Sequence, residues 1–64
     1  MSPKIHELIQ NLESIGFVNK GDKNGYHNLR HSNGIKITVG GRLSQEAKQY
    51  QINDVSRAIE MISD

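Results

Sequence analysis

Two Asn-Gly dipeptides, Asn24-Gly25 and Asn33-Gly34, lie nine residues apart in the middle of the chain. Asn-Gly is the strongest short-range hairpin signal, because both residues tolerate the positive φ of a tight turn. The flanking stretches are strand-like. Ile35-Lys36-Ile37-Thr38-Val39 alternates apolar and polar residues, the pattern of a strand with one buried face. Tyr26 to His31 reads as the strand before it, and Phe17-Val18 opens a shorter one ending near Lys20. Between these two, residues 21–25 form a polar connection, either a two-residue turn at Asn24-Gly25 or a longer loop. Two consecutive hairpins predict a three-stranded antiparallel meander.

Amphipathic helices flank the meander. Ile5, Leu8, Ile9, Leu12 and Ile15 form one apolar stripe in a helix expected over residues 2–15. Ser2 is its expected N-cap, Pro3 its first residue and Gly16 its stop. From about Gln51, Ile52, Val55, Ala58, Ile59 and Ile62 define a second stripe, with Tyr50 anchoring its start. Residues 43–49 are mostly polar and fit either a helical turn or a loop. The expected fold is α+β, in the order α-β-β-β-α. Both helices have one apolar stripe and the sheet has one apolar face, so both helices should cover that face and leave the other open.

The sorting of side chains follows from the period of two. Leu29 belongs with Ile35, Ile37 and Val39 on the apolar side, which takes His27 and His31 there as well. Tyr26, Asn28 and Arg30 then share the open face with Lys36 and Thr38. A one-residue bulge would exchange these sides.

With 64 residues, the chain has room for a single domain, residues 1–64. A chain this short buries only ~60% of its unfolded surface, so a partner would help to stabilise it. It has no cysteine, which excludes disulfides and Cys-based zinc sites and fits a reducing compartment such as the cytoplasm. No apolar run approaches the ~18 residues of a membrane span, and no signal-peptide pattern opens the sequence. Net charge is +1, unevenly spread: residues 20–48 hold six basic residues against two acidic ones. A basic centre between mildly acidic ends is a nucleic-acid signal, and on charge alone it reads equally as an ordinary solvated surface. Within it, Lys23, Arg30 and Lys36 are the expected phosphate ligands, while Lys20, Arg42 and Lys48 read as solvated loop charges.

No nucleophile elbow, phosphate-binding glycine loop, dinucleotide fingerprint or calcium loop is present. The carboxylates are scattered. His27 and His31 share a strand face roughly 13 Å apart, too far to ligate one metal together, and no metal or small-molecule cofactor is expected. A histidine that titrates near neutrality can act instead as a general acid or base. RNA needs little more, since its 2′-OH is an internal nucleophile. His27 is therefore the candidate proton shuttle, against a structural role beside Leu29.

From Ser2 to about Ile62 the chain resembles the HicA family of small toxins. The likeness rests on Leu8-Ile9-Gln10-Asn11-Leu12-Glu13-Ser14-Ile15-Gly16-Phe17, which is similar to the family's opening helix and its Leu-Glu-x-x-Gly-Phe ending. It continues through residues 23–34, where the family has Lys-Gly-Ser-His, a strand and His-Pro-x-Gly, and through Ile35-Lys36-Ile37-Thr38-Val39. Ala47-Lys48-Gln49-Tyr50-Gln51 followed by Val55-x-x-Ala58-Ile59 is similar to one branch of the family. The resemblance implies a fold like a double-stranded-RNA-binding domain, metal-free cleavage of mRNA, recognition by shape and backbone, and a HicB-like antitoxin over the open face. It also implies a catalytic histidine from Gly-Ser-His. Without gaps that motif falls on Asn24-Gly25-Tyr26, which puts Tyr26 in the histidine's place. Shifted by one residue it falls on Gly25-Tyr26-His27. Tyrosine, with a reference pKa of ~10, is a poor base near neutrality. A core-facing His27 would leave an inactive RNA-binding or protein-interaction module; one on the open face would favour the endoribonuclease.

Overall fold

The computed structural model describes residues 2–62. Its elements are helix α1 (Ile5–Ser14), strands β1 (Val18–Lys23), β2 (Tyr26–Arg30) and β3 (Lys36–Gly40), and helix α2 (Gln49–Ile62). The strands form one antiparallel sheet in the order β1-β2-β3. This is the expected α-β-β-β-α arrangement.

The first connection is a two-residue turn. Asn24 and Gly25 have φ of 54° and 79°, the left-handed pair that such a hairpin requires. β1 therefore runs on to Lys23 and absorbs most of the polar stretch 21–25. A bulge lets it do so: Asn19 pairs with Leu29 and Gly21 with Asn28, leaving Lys20 as the extra residue. The Asn19 side chain accepts from the Gly21 N–H at 2.8 Å, and Gly21 takes φ 127°. The second turn is longer. His31 N–H donates to the Ile35 carbonyl across residues 32–34.

Helix α1 begins later than its sequence predicts. Lys4, not Ser2, is the N-cap. The cause is tertiary. Lys4 forms an antiparallel bridge with Glu46, and Pro3 accepts from the Ala47 N–H at 2.8 Å. Leading amides of the helix then find carbonyls in the same segment, Ile5 to Gln45 and His6 to Leu43. Glu7 accepts from the Lys4 N–H at 2.6 Å. The C-terminus follows its sequence signal. Phe17 N–H reaches the Leu12 carbonyl and Gly16 N–H the Glu13 carbonyl, the paired bonds of a Schellman stop.

Helix α2 starts at Gln49, two residues earlier than expected, because Gln51 caps it. Its side-chain oxygen accepts from the Lys48 N–H at 2.9 Å, and its amide donates to the Gly40 carbonyl at 2.7 Å. Gln51 is buried, and a buried amide needs such partners. It ties the start of α2 to the end of β3.

Both apolar stripes meet the same side of the sheet. Ile5, Leu8, Ile9 and Leu12 from α1 and Val55 and Ala58 from α2 cluster with Leu29 and Val39. Phe17 and Ala47 complete the cluster, with Ile37, Ile52 and Ile59 packed against it. The opposite face carries Tyr26, Asn28, Arg30, Lys36 and Thr38, all exposed.

Gly16 and Gly34 both have strongly positive φ, 105° and 99°. They differ in surroundings. A Cβ on Gly16 would lie 2.9 Å from His31 Nε2, whereas one on Gly34 would meet nothing. Alanine at either position should cost about 1 kcal/mol in backbone strain. Urea unfolding should show Gly16→Ala as clearly the more destabilising, since only it must also displace His31. Equal losses would refute the contact.

Candidate nucleic-acid interface

His27 lies on the core side of β2, opposite Val39 and two residues from Leu29. It is only 6% exposed. Nδ1–H donates to the Asp22 carboxylate and Nε2–H to the Gly41 carbonyl, each at 2.8 Å. Both partners are acceptors, so both bonds exist together only in the imidazolium. Burial opposes that charge and is the largest single influence on the ring. The Asp22 and Gly41 bonds and the Asp22 charge together outweigh it, so the His27 pKa is raised. The His27 bond in turn lowers the Asp22 pKa, helped by Asn19 and opposed by desolvation.

The two-residue turn at Asn24-Gly25 makes this pair possible. It sets Lys23 opposite Tyr26 and Asp22 opposite His27, so Asp22 shares the core side with His27. The bulge at Lys20 lies beyond the pair and shifts only the residues before it, leaving Asn19 opposite Leu29 and Val18 opposite Arg30. The sequence places His27 correctly beside Leu29. It misses Asp22 as the partner, because residues 21–25 read equally as a two-residue turn or a longer loop, and only the former sets Asp22 opposite His27.

His31 is also structural. Asn33 N–H donates to its Nδ1 at 3.2 Å, so the ring proton is on Nε2, which donates to the Ile15 carbonyl at 3.1 Å. Its ring meets Phe17 edge-on, with centroids 5.2 Å apart. Among the described residues, no group of three or more His, Asp or Glu side chains could hold a metal ion. No helix among them is long and apolar enough to cross a membrane.

Tyr26 sits on the open face opposite Gly40 and is 55% exposed. Its ring lies on the Gly40 backbone; a Cβ there would be 2.9 Å from Tyr26 Cε1. Gly40 is thus favoured by close approach rather than by φ, since a larger residue would have to push the Tyr26 ring aside. Tyr50, expected to anchor the start of α2, is 61% exposed. The anchoring role belongs to Gln51, one position on.

The basic residues gather on the open face, though not all together. Arg30 and Lys36 are direct cross-strand partners. Like charges opposite each other destabilise a sheet, and neither makes a salt bridge among the described residues. Lys20, Arg30 and Lys36 line a shallow hollow of about 270 Å³ with Asn28 and Thr38. Thr38 donates to the Asn28 side chain at 3.0 Å, which fixes that polar floor. Lys20, read from sequence as a loop charge, joins the group through the bulge. Lys23 pairs with Tyr26 at the far end of the hairpin and does not line this hollow. Three cations thus surround one polar floor, without a carboxylate among the lining residues.

Comparison of the chain with protein-family models, curated proteins and solved structures found no match.

The paired His27 and Asp22 fix the pH dependence of folding. A raised histidine pKa contributes stability at pH below its ordinary value of 6.5, and that stability is lost as pH rises through the folded value. The lowered Asp22 pKa contributes stability above 3.8, lost as pH falls through its folded value. Thermal midpoints should therefore fall as pH is raised from ~6.5 towards alkaline values. Asp22→Asn should flatten both limbs. An unchanged profile in that variant would mean the pair is unimportant.

Proposed function

We propose that this chain is a HicA-like protein that binds RNA through the phosphate backbone and does not cleave it through His27. One observation carries the reading: the imidazole and the unpaired cations lie on opposite faces of the sheet. Metal-free cleavage needs a base with a free lone pair within reach of the 2′-OH. His27 donates both of its N–H groups to protein acceptors behind the sheet. Tyr26 stands on the open face, where the gapless alignment puts the family's histidine, and a phenol is a poor base near neutrality.

Binding follows from charge. Lys20, Arg30 and Lys36 would each neutralise a phosphate and release its counterion. A guanidinium can hold two phosphate oxygens at once. Bound phosphates would also relieve the Arg30–Lys36 repulsion. Asn28 and Thr38 offer hydrogen bonds to ribose hydroxyls between the charges. The cytoplasm is the compartment in which the proposal places this chain.

A second reading is a cleaving HicA-like endoribonuclease held in check by a HicB-like antitoxin. It is favoured by the Asp22–His27 pair, because a carboxylate-oriented imidazole is an acid–base arrangement. It requires the Gly41 carbonyl to release Nε2 and the ring to reach substrate.

The two readings separate in one experiment on labelled RNA. On the first, the purified chain binds without cutting, and log affinity falls against log salt with a slope of about −2 to −3 for three phosphate contacts. Arg30→Glu should weaken binding at least tenfold. Cutting that disappears in a folded His27→Ala variant and on a 2′-deoxy strand would overturn the first reading in favour of the second. Binding that ignores salt, or no binding at all, would overturn both.

A further inference from the structure

The chain has three aromatic side chains other than histidine: Phe17, Tyr26 and Tyr50. Phe17 is buried, but both tyrosines are more than half exposed, and they line the same hollow. A domain this small has every reason to bury its large rings. Two of three left on the surface, at one place, call for a ligand.

The hollow lies at the Tyr26 end of the sheet, between the first hairpin turn and the start of α2, and encloses about 320 Å³. Tyr26 is held in position. One side of its ring rests on the Gly40 backbone, where any larger residue would collide with it. Tyr50 belongs to the first turn of α2, which Gln51 ties to the Gly40 carbonyl. The two rings are thus carried by elements fastened to the same glycine. Lys48 lines the hollow and brings a cation, while Asn24 and Gln45 bring side-chain amides to its rim. Gln51 also lines it, but its amide is already engaged.

We infer that this hollow takes an unpaired nucleobase, stacked against Tyr26 and Tyr50, with Lys48 on the adjoining phosphate. The inference rests on the RNA-binding reading and deepens it by naming the form of RNA. Every base has a π-face, so stacking on tyrosine accepts any of the four. A base inside a duplex has both faces covered and cannot enter. Tyr26 shares its face with Asn28 and Arg30, about 13 Å along the strand. One RNA strand could therefore place a base in the tyrosine hollow and its next phosphates among Arg30, Lys36 and Lys20. The amides of Asn24 and Gln45 could hydrogen-bond base edges and add a modest preference.

The test compares a fluorescein-labelled oligouridylate with a duplex RNA of equal length, by fluorescence anisotropy at fixed salt. The wild-type chain should bind the single strand more tightly. Tyr50→Ala should weaken single-strand binding roughly tenfold and leave duplex binding within about twofold. Tyr50→Phe, which keeps the ring, should restore it. Tyr50 is exposed, so the alanine variant should fold, and circular dichroism checks that it does. A single-strand affinity unchanged in Tyr50→Ala, while Arg30→Glu still abolishes binding, would overturn this inference and leave the RNA-binding reading standing. Failure of the wild-type chain to bind either RNA would overturn both.

Discussion

A buried imidazolium with two acceptors ties the sheet together. His27 projects from the central strand and reaches the edge strand β1 through Asp22 and the residue after β3 through Gly41. All three strand ends at the first hairpin are thereby clipped to one ring. The charge is tolerated in that position because both N–H groups are hydrogen-bonded and one partner is a carboxylate. Gly41 is held a second time, since its own N–H donates to the Gly25 carbonyl. The hairpin end, which would otherwise be free to fray, is thus fixed to the start of the strap that leads to α2.

The alternation of β2 decides the division of labour between the two faces, and the clip holds it. His27 lies with Leu29 on the core side, and Tyr26, Asn28 and Arg30 take the open face. The turn at Asn24-Gly25 sets Asp22 opposite His27, where its half-exposed carboxylate reaches the ring. The bulge at Lys20 leaves that residue outward, beside Arg30 and Lys36, as the third cation of the surface cluster. The cluster carries an internal repulsion that nothing among the described side chains relieves by a salt bridge.

Much of the fold was legible because the signals were local. Two Asn-Gly turns, two apolar stripes at helical spacing and one clean alternation gave the element order and the inward placement of Leu29, Val39 and His27. The Gly16 stop was also local. The N-termini of the helices were not. Ser2 and Pro3 are good starting residues, but the chain there pairs with Glu46 and Ala47, so the helix waits until Lys4 has passed. For α2 the cap is Gln51, one polar residue among several at that end of the helix, and its burial depends on where the Gly40 carbonyl lies. Tyr50 shows the same limit. The sequence reads it as the anchor of α2, and only the packing turns it outward.

The elements, their order and the side of β2 that faces the core follow from local sequence, because turn chemistry and periodicity act over a few residues. What the side chains do there follows from contacts between distant segments. Whether His27 is a free base or a doubly bonded cation depends on Asp22, five residues away across the first hairpin turn, and on Gly41, fourteen residues away beyond another strand. Whether Lys20 is a loop charge or a member of the surface cation cluster depends on the bulge in β1. No local pattern records a one-residue bulge in a polar strand, since its effect is to exchange faces that carry no hydrophobic mark.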